Sequence, residues 1–309
     1  MQYSQLGNTG LEVSKLAYGA SPLGGVFGDI DESQGIRTVH SALDKGINLI
    51  DCSPYYGMTK AEAVLGKALK GIARDRYILS TKAGRYGPEV EDFDMSERRI
   101  RKSLDESLDR LGVSEIDLFF LHDIEFVDLD IVLNEALPCL EKLKEEGRIR
   151  YYGITGYPIE PFREVIRQFE IDCILTYCRY ALHDVSLESL LPELAEKKLG
   201  IINASPTGMG LLTQRGAPGW HPASAGLKER ARQAVQFCQE QGVDITQVAL
   251  QFAAGHPDIP TTLVGTANPA YIAQNIEWLN QPLDAELAAS LRSILDGPDN
   301  VWPSGLAVD

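Results

Sequence analysis

No run of about 18 apolar residues occurs in this chain, so the sequence offers no candidate for a membrane-spanning helix. The opening segment MQYSQLGNTGLEVSKL also lacks the basic start and apolar stretch of a secretory signal. Basic residues are in deficit: 29 Lys plus Arg face 44 Asp plus Glu, a formal charge of −15, with no basic cluster along one face. Neither nucleic acid nor an anionic membrane surface is therefore expected as a partner. Cys-x-x-Cys is missing. The five cysteines, Cys52, Cys139, Cys173, Cys178 and Cys238, are scattered, with no histidine at metal-ligand spacing. Reduced, mostly buried thiols in a cytoplasmic setting fit that usage, and no metal is expected. Gly-x-Gly-x-x-Gly, Gly-x-x-x-x-Gly-Lys-Ser/Thr and His-Glu-x-x-His are absent, which removes motif support for phosphoryl transfer and zinc hydrolysis. Gly208-Met209-Gly210 is a partial match that comes too late in the chain.

What is present is an ordinary globular mixture, 44% hydrophobic and 24% charged, without low-complexity segments or linkers. Residues 1–309 are read as one domain. Two short alternating segments, QYSQL and LEVS, flank Asn8-Thr9-Gly10 and predict a hairpin lid. From Lys15 onward one unit recurs: an apolar strand, a loop, an amphipathic helix, then a glycine that stops the helix. The stopping glycines are Gly46, Gly71, Gly112, Gly147, Gly200 and Gly242. Strands are expected at 15–21, 48–53, 77–84, 116–123, 149–156, 172–177, 200–206 and 261–266. Helical stripes lie between them. Phe162, Val165, Ile166 and Phe169 share one face, as do Ile100, Leu104, Leu108 and Leu111. Thr59 and Glu62 have capping-box spacing. Eight such units predict an α/β fold, a (β/α)₈ barrel with the N-terminal hairpin and a C-terminal extra helix and tail. An open doubly wound sheet is the alternative, but it calls for the missing glycine fingerprint.

Barrels of this kind carry their chemistry at the C-terminal ends of the strands. Asp51, Lys82 and His122 end the second, third and fourth strands, and Tyr56 follows in the loop after the second. Singly, each has a structural use: capping, ion pairing, core-edge packing or loop packing. Jointly they suit carbonyl/alcohol redox work. A phenol titrates near 10, too high for a base near neutrality, and a nearby ammonium favours the phenolate. Lys82 would supply that cation, Asp51 would hold Lys82, and His122 would orient the substrate oxygen.

These residues, Asp51-x-x-x-x-Tyr56-Gly57, Lys82 in Ser80-Thr81-Lys82 and His122 after an apolar strand, resemble the Asp, Tyr, Lys, His tetrad of the aldo-keto reductases. The resemblance covers essentially the whole chain. Blocks 19–28, 51–57, 122–126, 153–158, 220–224 and 302–305 are most similar to the branch that oxidises L-galactose and L-fucose. It implies an NAD-dependent oxidation of such a sugar at C1. A different small alcohol or aldose, of the D-threo-aldose or pyridoxal type, and a non-catalytic cofactor-binding subunit are the alternatives. A monomer or weak homodimer is the expected state. Position by position, the resemblance puts Gly19, Ala20, Ser21, Asp51 and Tyr56 beside the cofactor and Thr155, Gly156 and Tyr177 at the nicotinamide. Ser205, Pro206, Thr207, Gly208, Met209, Gly210 and Leu211 would take the pyrophosphate, and Gly265, Thr266, Gln274 and Asn275 the adenosine end. The family usually has Ser-Asn where Thr155-Gly156 stands, Gln at Tyr177 and a stacking aromatic at Ala204. Its NADP-dependent members carry Lys and Arg where Gly265 and Tyr271 stand here, and residues 265–275 contain no basic residue. Candidate sugar contacts are Tyr56, His122, Asp123, Glu125, His183, Trp220 and Trp302, the tryptophans by stacking and the rest through hydroxyls.

Overall fold

The computed structural model describes residues 1–306. A two-stranded antiparallel ribbon, β1 (Tyr3–Gln5) and β2 (Glu12–Ser14), precedes eight parallel strands closed into a barrel. Those strands are β3 (Leu16–Gly19), β4 (Leu49–Asp51), β5 (Ile78–Ala83), β6 (Ile116–Leu121), β7 (Ile149–Gly156), β8 (Cys173–Tyr177), β9 (Gly200–Ala204) and β10 (Thr261–Gly265). Each pairs with its neighbour in sequence, and β10 closes on β3 with Gly265 opposite Gly19. All eight expected strands form, most of them a residue or two shorter at their ends.

Helices surround the barrel: α1 (Glu32–Asp44), α2 (Lys60–Leu69), α3 (Glu97–Leu111), α4 (Leu129–Ile131), α5 (Leu137–Glu145), α6 (Ile159–Gln168), α7 (Leu191–Glu196), α8 (Ala225–Glu240), α9 (Ile245–Ala254), α10 (Pro269–Leu279) and α11 (Ala285–Leu295). A π-helical turn over Val132–Ala136 joins α4 to α5. The expected extra C-terminal helix is α11, and α8 is a second one: they share an apolar cluster with α9 and the tail, built on Leu227, Ala231, Leu291 and Leu295. Gly46, Gly71, Gly112, Gly147 and Gly242 adopt the left-handed geometry expected of helix stops. Gly200 does not. It opens β9, where a Cβ would come within 2.7 Å of Leu6 Cγ, and Lys198 takes the left-handed turn instead.

Alternation along the strands sorts the side chains. On β5, Ile78 joins an inner cluster with Leu49, Leu118, Phe120, Cys173, Leu175, Ile202 and Leu263, while Leu79 and Ala83 pack outward against the helices. Burying such side chains stabilises the fold by roughly 1.5–3 kcal/mol each. The hairpin closes the N-terminal mouth of this core. Leu6, Leu11 and Val13 enter the inner cluster, Asn8 N donates to Lys198 O (2.9 Å), and the Tyr151 hydroxyl donates to Thr9 O. The expected lid is thus a floor, on the side away from the C-terminal strand ends. No helix among the described residues is long and apolar enough to cross a membrane.

Candidate active site

Two-residue alternation carries the inward direction upward from the core to Asp51 on β4, Lys82 on β5 and His122 just past β6. Lys82, 1% exposed, donates from Nζ to Asp51 Oδ2 (2.6 Å), to Cys52 O (2.7 Å) and to the Tyr56 hydroxyl (3.3 Å). The second Asp51 oxygen accepts from Ser80 Oγ (2.7 Å), so this carboxylate is held at both ends.

Tyr56 reaches that cluster because its loop turns back over the rim through three successive left-handed residues, Gly57, Met58 and Thr59. Gly24, in the loop after β3, packs so closely that a Cβ on it would stand 2.5 Å from Tyr56 O. The capping box read at Thr59 and Glu62 does not form, since a left-handed Thr59 cannot cap α2. Glu62 instead turns inward, accepting from Thr81 Oγ1 (2.6 Å) and Arg110 Nε (2.7 Å), and so fastens α2 to β5 and α3.

The electrostatics correct one expectation. Lys82 does pull the Tyr56 phenol toward ionisation, but burial outweighs it, helped by Asp51 and Asp123, and the phenol stands well above its ordinary range. Burial also opposes charge on Lys82, yet Asp51 and Tyr56 together hold the ammonium above its usual value. Burial lowers His122 to about 3, with Lys82 and Arg85 adding to the effect and Asp123 opposing it, so the ring is neutral. His122 Nδ1 faces Ser53 Oγ (3.0 Å), while Asp123 Oδ2 lies 3.6 Å from Nε2. A carboxylate on that side favours the tautomer with the proton on Nε2, and the Ser53 hydroxyl then donates to Nδ1.

The other expected residues divide. Gly19, Ala20 and Ser21 line the rim beside Asp51, with Ala20 N donating to Asp51 O (2.8 Å). Thr155 does not present a free hydroxyl to a nicotinamide: it donates to Asp123 Oδ1 (3.2 Å) and accepts from Asp123 N (2.9 Å). Gly156 packs under Glu125, where a Cβ would meet Oε2 at 2.7 Å. Tyr177 stands opposite Ala204 in register, its ring 5.4 Å from that of Tyr157. In the loop after β9, Ser205, Gly208, Met209 and Gly210 are left-handed, Pro206 is buried and Thr207 O accepts from Leu212 N. Leu211 departs from this group. Its side chain is buried in the apolar cluster with Leu212 and Leu227, and its N–H is committed to Gly208 O (3.0 Å). Gly265 and Thr266 close the rim at β10, where the Tyr18 hydroxyl donates to Thr266 O (2.8 Å), and Gln274 and Asn275 are half-buried on α10.

On the sugar side, Asp123 is buried beside His122. Glu125 is not a free hydroxyl contact: Oε1 accepts from Tyr157 N and Ser304 Oγ (both 3.1 Å), and the tail closes over it through Leu306 N. Burial, with Asp123 beside it, pushes this carboxyl up to about 8. Trp302 stacks on Tyr157 (4.7 Å) and, more distantly, on His183 (6.0 Å), whose ring lies against Gly208. Trp220, 53% exposed, packs at a tilt against Phe27 (ring centroids 5.9 Å apart), so these two join the loops after β9 and β3.

Sequence reasoning missed Ser53, Tyr157 and Arg85. Ser53 lies inside block 51–57 and Tyr157 inside block 153–158. Arg85 lies beyond the end of β5, where strand alternation no longer says which way a side chain turns.

The family profile described as Aldo/keto reductase family matches residues 15–296. The chain is 44% identical to L-galactose dehydrogenase of Arabidopsis thaliana over 97% of each protein, and 31% identical to D-threo-aldose 1-dehydrogenase of a Pseudomonas species over 91% of this chain and 94% of that one. Among solved structures, an aldo-keto reductase from Bacillus halodurans in its holo form superposes with a TM-score of 0.79 at 28% identity, covering 95% of this chain and 96% of that chain.

Proposed function

Since this chain belongs to the aldo/keto reductase family, we propose that it is an NAD-dependent dehydrogenase that oxidises L-galactose, and also L-fucose, at C1 to the aldonolactone. The observation that carries the chemistry is the buried contact of Lys82 Nζ with both Asp51 and the Tyr56 hydroxyl. The likeness to L-galactose dehydrogenase supports the substrate.

A nicotinamide dinucleotide fits this rim: Gly19 and Gly265, opposite each other in register, carry no side chains of their own, and the left-handed Met209 and Gly210 after β9 can offer backbone N–H groups to phosphate oxygens. We assign Gly19–Ser21 and Ser205–Gly210 to the phosphates and ribose, Tyr177 and Gly156 to the nicotinamide end, and Thr266, Gln274 and Asn275 to the adenosine. When bound, this group supplies the hydride acceptor.

The chain's own residues handle the proton. The sugar's C1 hydroxyl sits between Tyr56 and His122, whose Nε2–H donates to its oxygen. Tyr56, as phenolate, takes the hydroxyl proton while the C1 hydrogen leaves as hydride and C1=O forms. Lys82 stays charged throughout and stabilises the phenolate, and Asp51 keeps Lys82 in place. A neutral His122 suits this role, because an imidazolium on the same oxygen would draw electrons from the carbon that must release hydride.

Appearance of reduced nicotinamide with L-galactose, L-fucose, D-glucose, D-arabinose and pyridoxal tests the reading. Turnover with both L-sugars and poor use of D-glucose is expected, since a misplaced hydroxyl leaves buried partners unpaired. Comparable specificity constants for D-glucose and L-galactose would overturn it.

A further inference from the structure

Arg85 leaves the end of β5 three residues after Lys82 and folds back over the rim instead of entering solvent. Its guanidinium carbon lies 3.8 Å from the Tyr55 ring centroid, 5.3 Å from that of Phe93 and 5.7 Å from that of Phe126. Nη1 donates to Asp123 Oδ2 (2.6 Å) and Nε to Gly87 O (3.3 Å). A cation boxed by three rings and paired to a carboxylate is fixed in one place, unlike a solvated surface arginine.

Both of its main partners touch His122. Asp123 Oδ2, the atom that Arg85 grips, is 3.6 Å from His122 Nε2, and the Tyr55 ring meets the imidazole edge-on at 5.8 Å. Asp123 has its other oxygen on Thr155 and a left-handed backbone, so it has little freedom to turn away. Left to itself, a buried carboxylate at this distance would stabilise an imidazolium and engage the Nε2 proton. The groups facing His122 are Lys82 and Arg85 from β5 and its loop, Asp123 from the loop after β6, and Tyr55 and Tyr56 from the loop after β4. Beyond Asp123 lie Glu125 and Tyr177. Among these only Arg85 neutralises Asp123 by direct contact.

We propose that Arg85 is a positioning residue: by holding Asp123 Oδ2 and the Tyr55 ring it keeps that carboxylate from claiming the His122 Nε2–H, which stays available to the oxygen of the sugar. This rests on the dehydrogenase reading for its consequence in catalysis, but not for its first test.

That test is an NMR titration of the five histidines in protein labelled at histidine, with the His122 signal assigned by its loss in His122→Gln. In the wild type, His122 should stay neutral throughout the mildly acidic range. In Arg85→Gln its titration should move up by about one unit or more, the usual effect of an exposed opposite charge at this range. Arg85→Lys should retain most of the wild-type behaviour, and Arg85→Gln combined with Asp123→Asn should return the His122 titration toward its wild-type position. Should Arg85→Gln fail to fold, Tyr55→Leu, which removes the surface on which Arg85 rests, should move the His122 titration in the same direction. A His122 titration unchanged in the folded variants would overturn the proposal. The kinetic counterpart is a new acid limb in the pH profile of kcat for Arg85→Gln. A rise in KM alone, with kcat and its profile unaltered, would instead make Arg85 a reader of sugar hydroxyls. No substrate enters the NMR titration, so failure to oxidise L-sugars would leave its result standing.

Discussion

At the residue scale, the Asp51–Lys82–Tyr56 cluster separates a chemical role from a structural one. Tyr56→Phe deletes only the oxygen proposed to move the proton, and its ring still packs edge-on against His122. Turnover should fall by at least about a hundredfold, with cofactor affinity, read by fluorescence quenching, and thermal stability nearly unchanged. Near-wild-type turnover would remove Tyr56 from its assigned role. Lys82→Met should also lose turnover, but it leaves the Asp51 carboxylate buried without its cation, a change that costs roughly 3–5 kcal/mol, so this variant alone should melt markedly lower. The pH dependence follows from the phenol. Burial raises Tyr56 above its ordinary value, and the proposed oxidation uses the ionised form, so wild-type oxidation should climb steadily toward alkaline pH. Residual activity of Lys82→Met should need still higher pH, because the cation that favours the phenolate is gone.

At the scale of elements, two contacts decide where the site residues stand. The loops after β3 and β4 meet backbone to backbone at Gly24, so Gly24→Ala should displace Tyr56 and cut kcat while leaving the barrel's far-ultraviolet circular dichroism intact. Unchanged kcat would show that the loop relaxes without moving the phenol. The tail docks on Glu125, whose raised carboxyl is neutral below its titration near 8. A folded-state value above the unfolded one means the contribution to stability is fully present below the ordinary glutamate range and is lost as pH rises through about 8. Ionisation would place a charge on the buried Oε2, which has no hydrogen-bond partner among the described residues. Tail docking, followed by the fluorescence of Trp302, should therefore loosen across that range, and Glu125→Gln should abolish the pH dependence. A wild-type signal flat through the same range would contradict the linkage.

At the scale of the whole molecule, charge bears on the proposed choice of cofactor. NADP adds a 2′-phosphate, which is usually met by Arg or Lys. Residues 265–275 contain neither, and the net charge of −15 makes an additional phosphate less welcome. NAD should be preferred by about tenfold or more in kcat/KM, consistent with roughly 1.5–3 kcal/mol for a charged hydrogen bond. Equal efficiency with NADP at saturating sugar would mean that a basic residue from elsewhere reaches the phosphate.

What the sequence by itself determined was periodic. Repeated strand, helix and stopping glycine specified eight barrel strands, and alternation of side chains carried Asp51, Lys82 and His122 to one rim, because both patterns depend only on near neighbours along the chain. Long-range contacts were decided by the tertiary structure alone. Thr59 and Glu62 fit a capping box until Thr81 and Arg110 claimed the glutamate across two other elements. The hairpin could have covered either mouth until Leu6 found Gly200. The ionisation of Tyr56 also reversed expectation, since its proximity to Lys82 was legible in the spacing but the desolvation of its hydroxyl by the loops around it was not. Burial, like the placing of Arg85 over Tyr55, depends on which distant segments the closed barrel brings together.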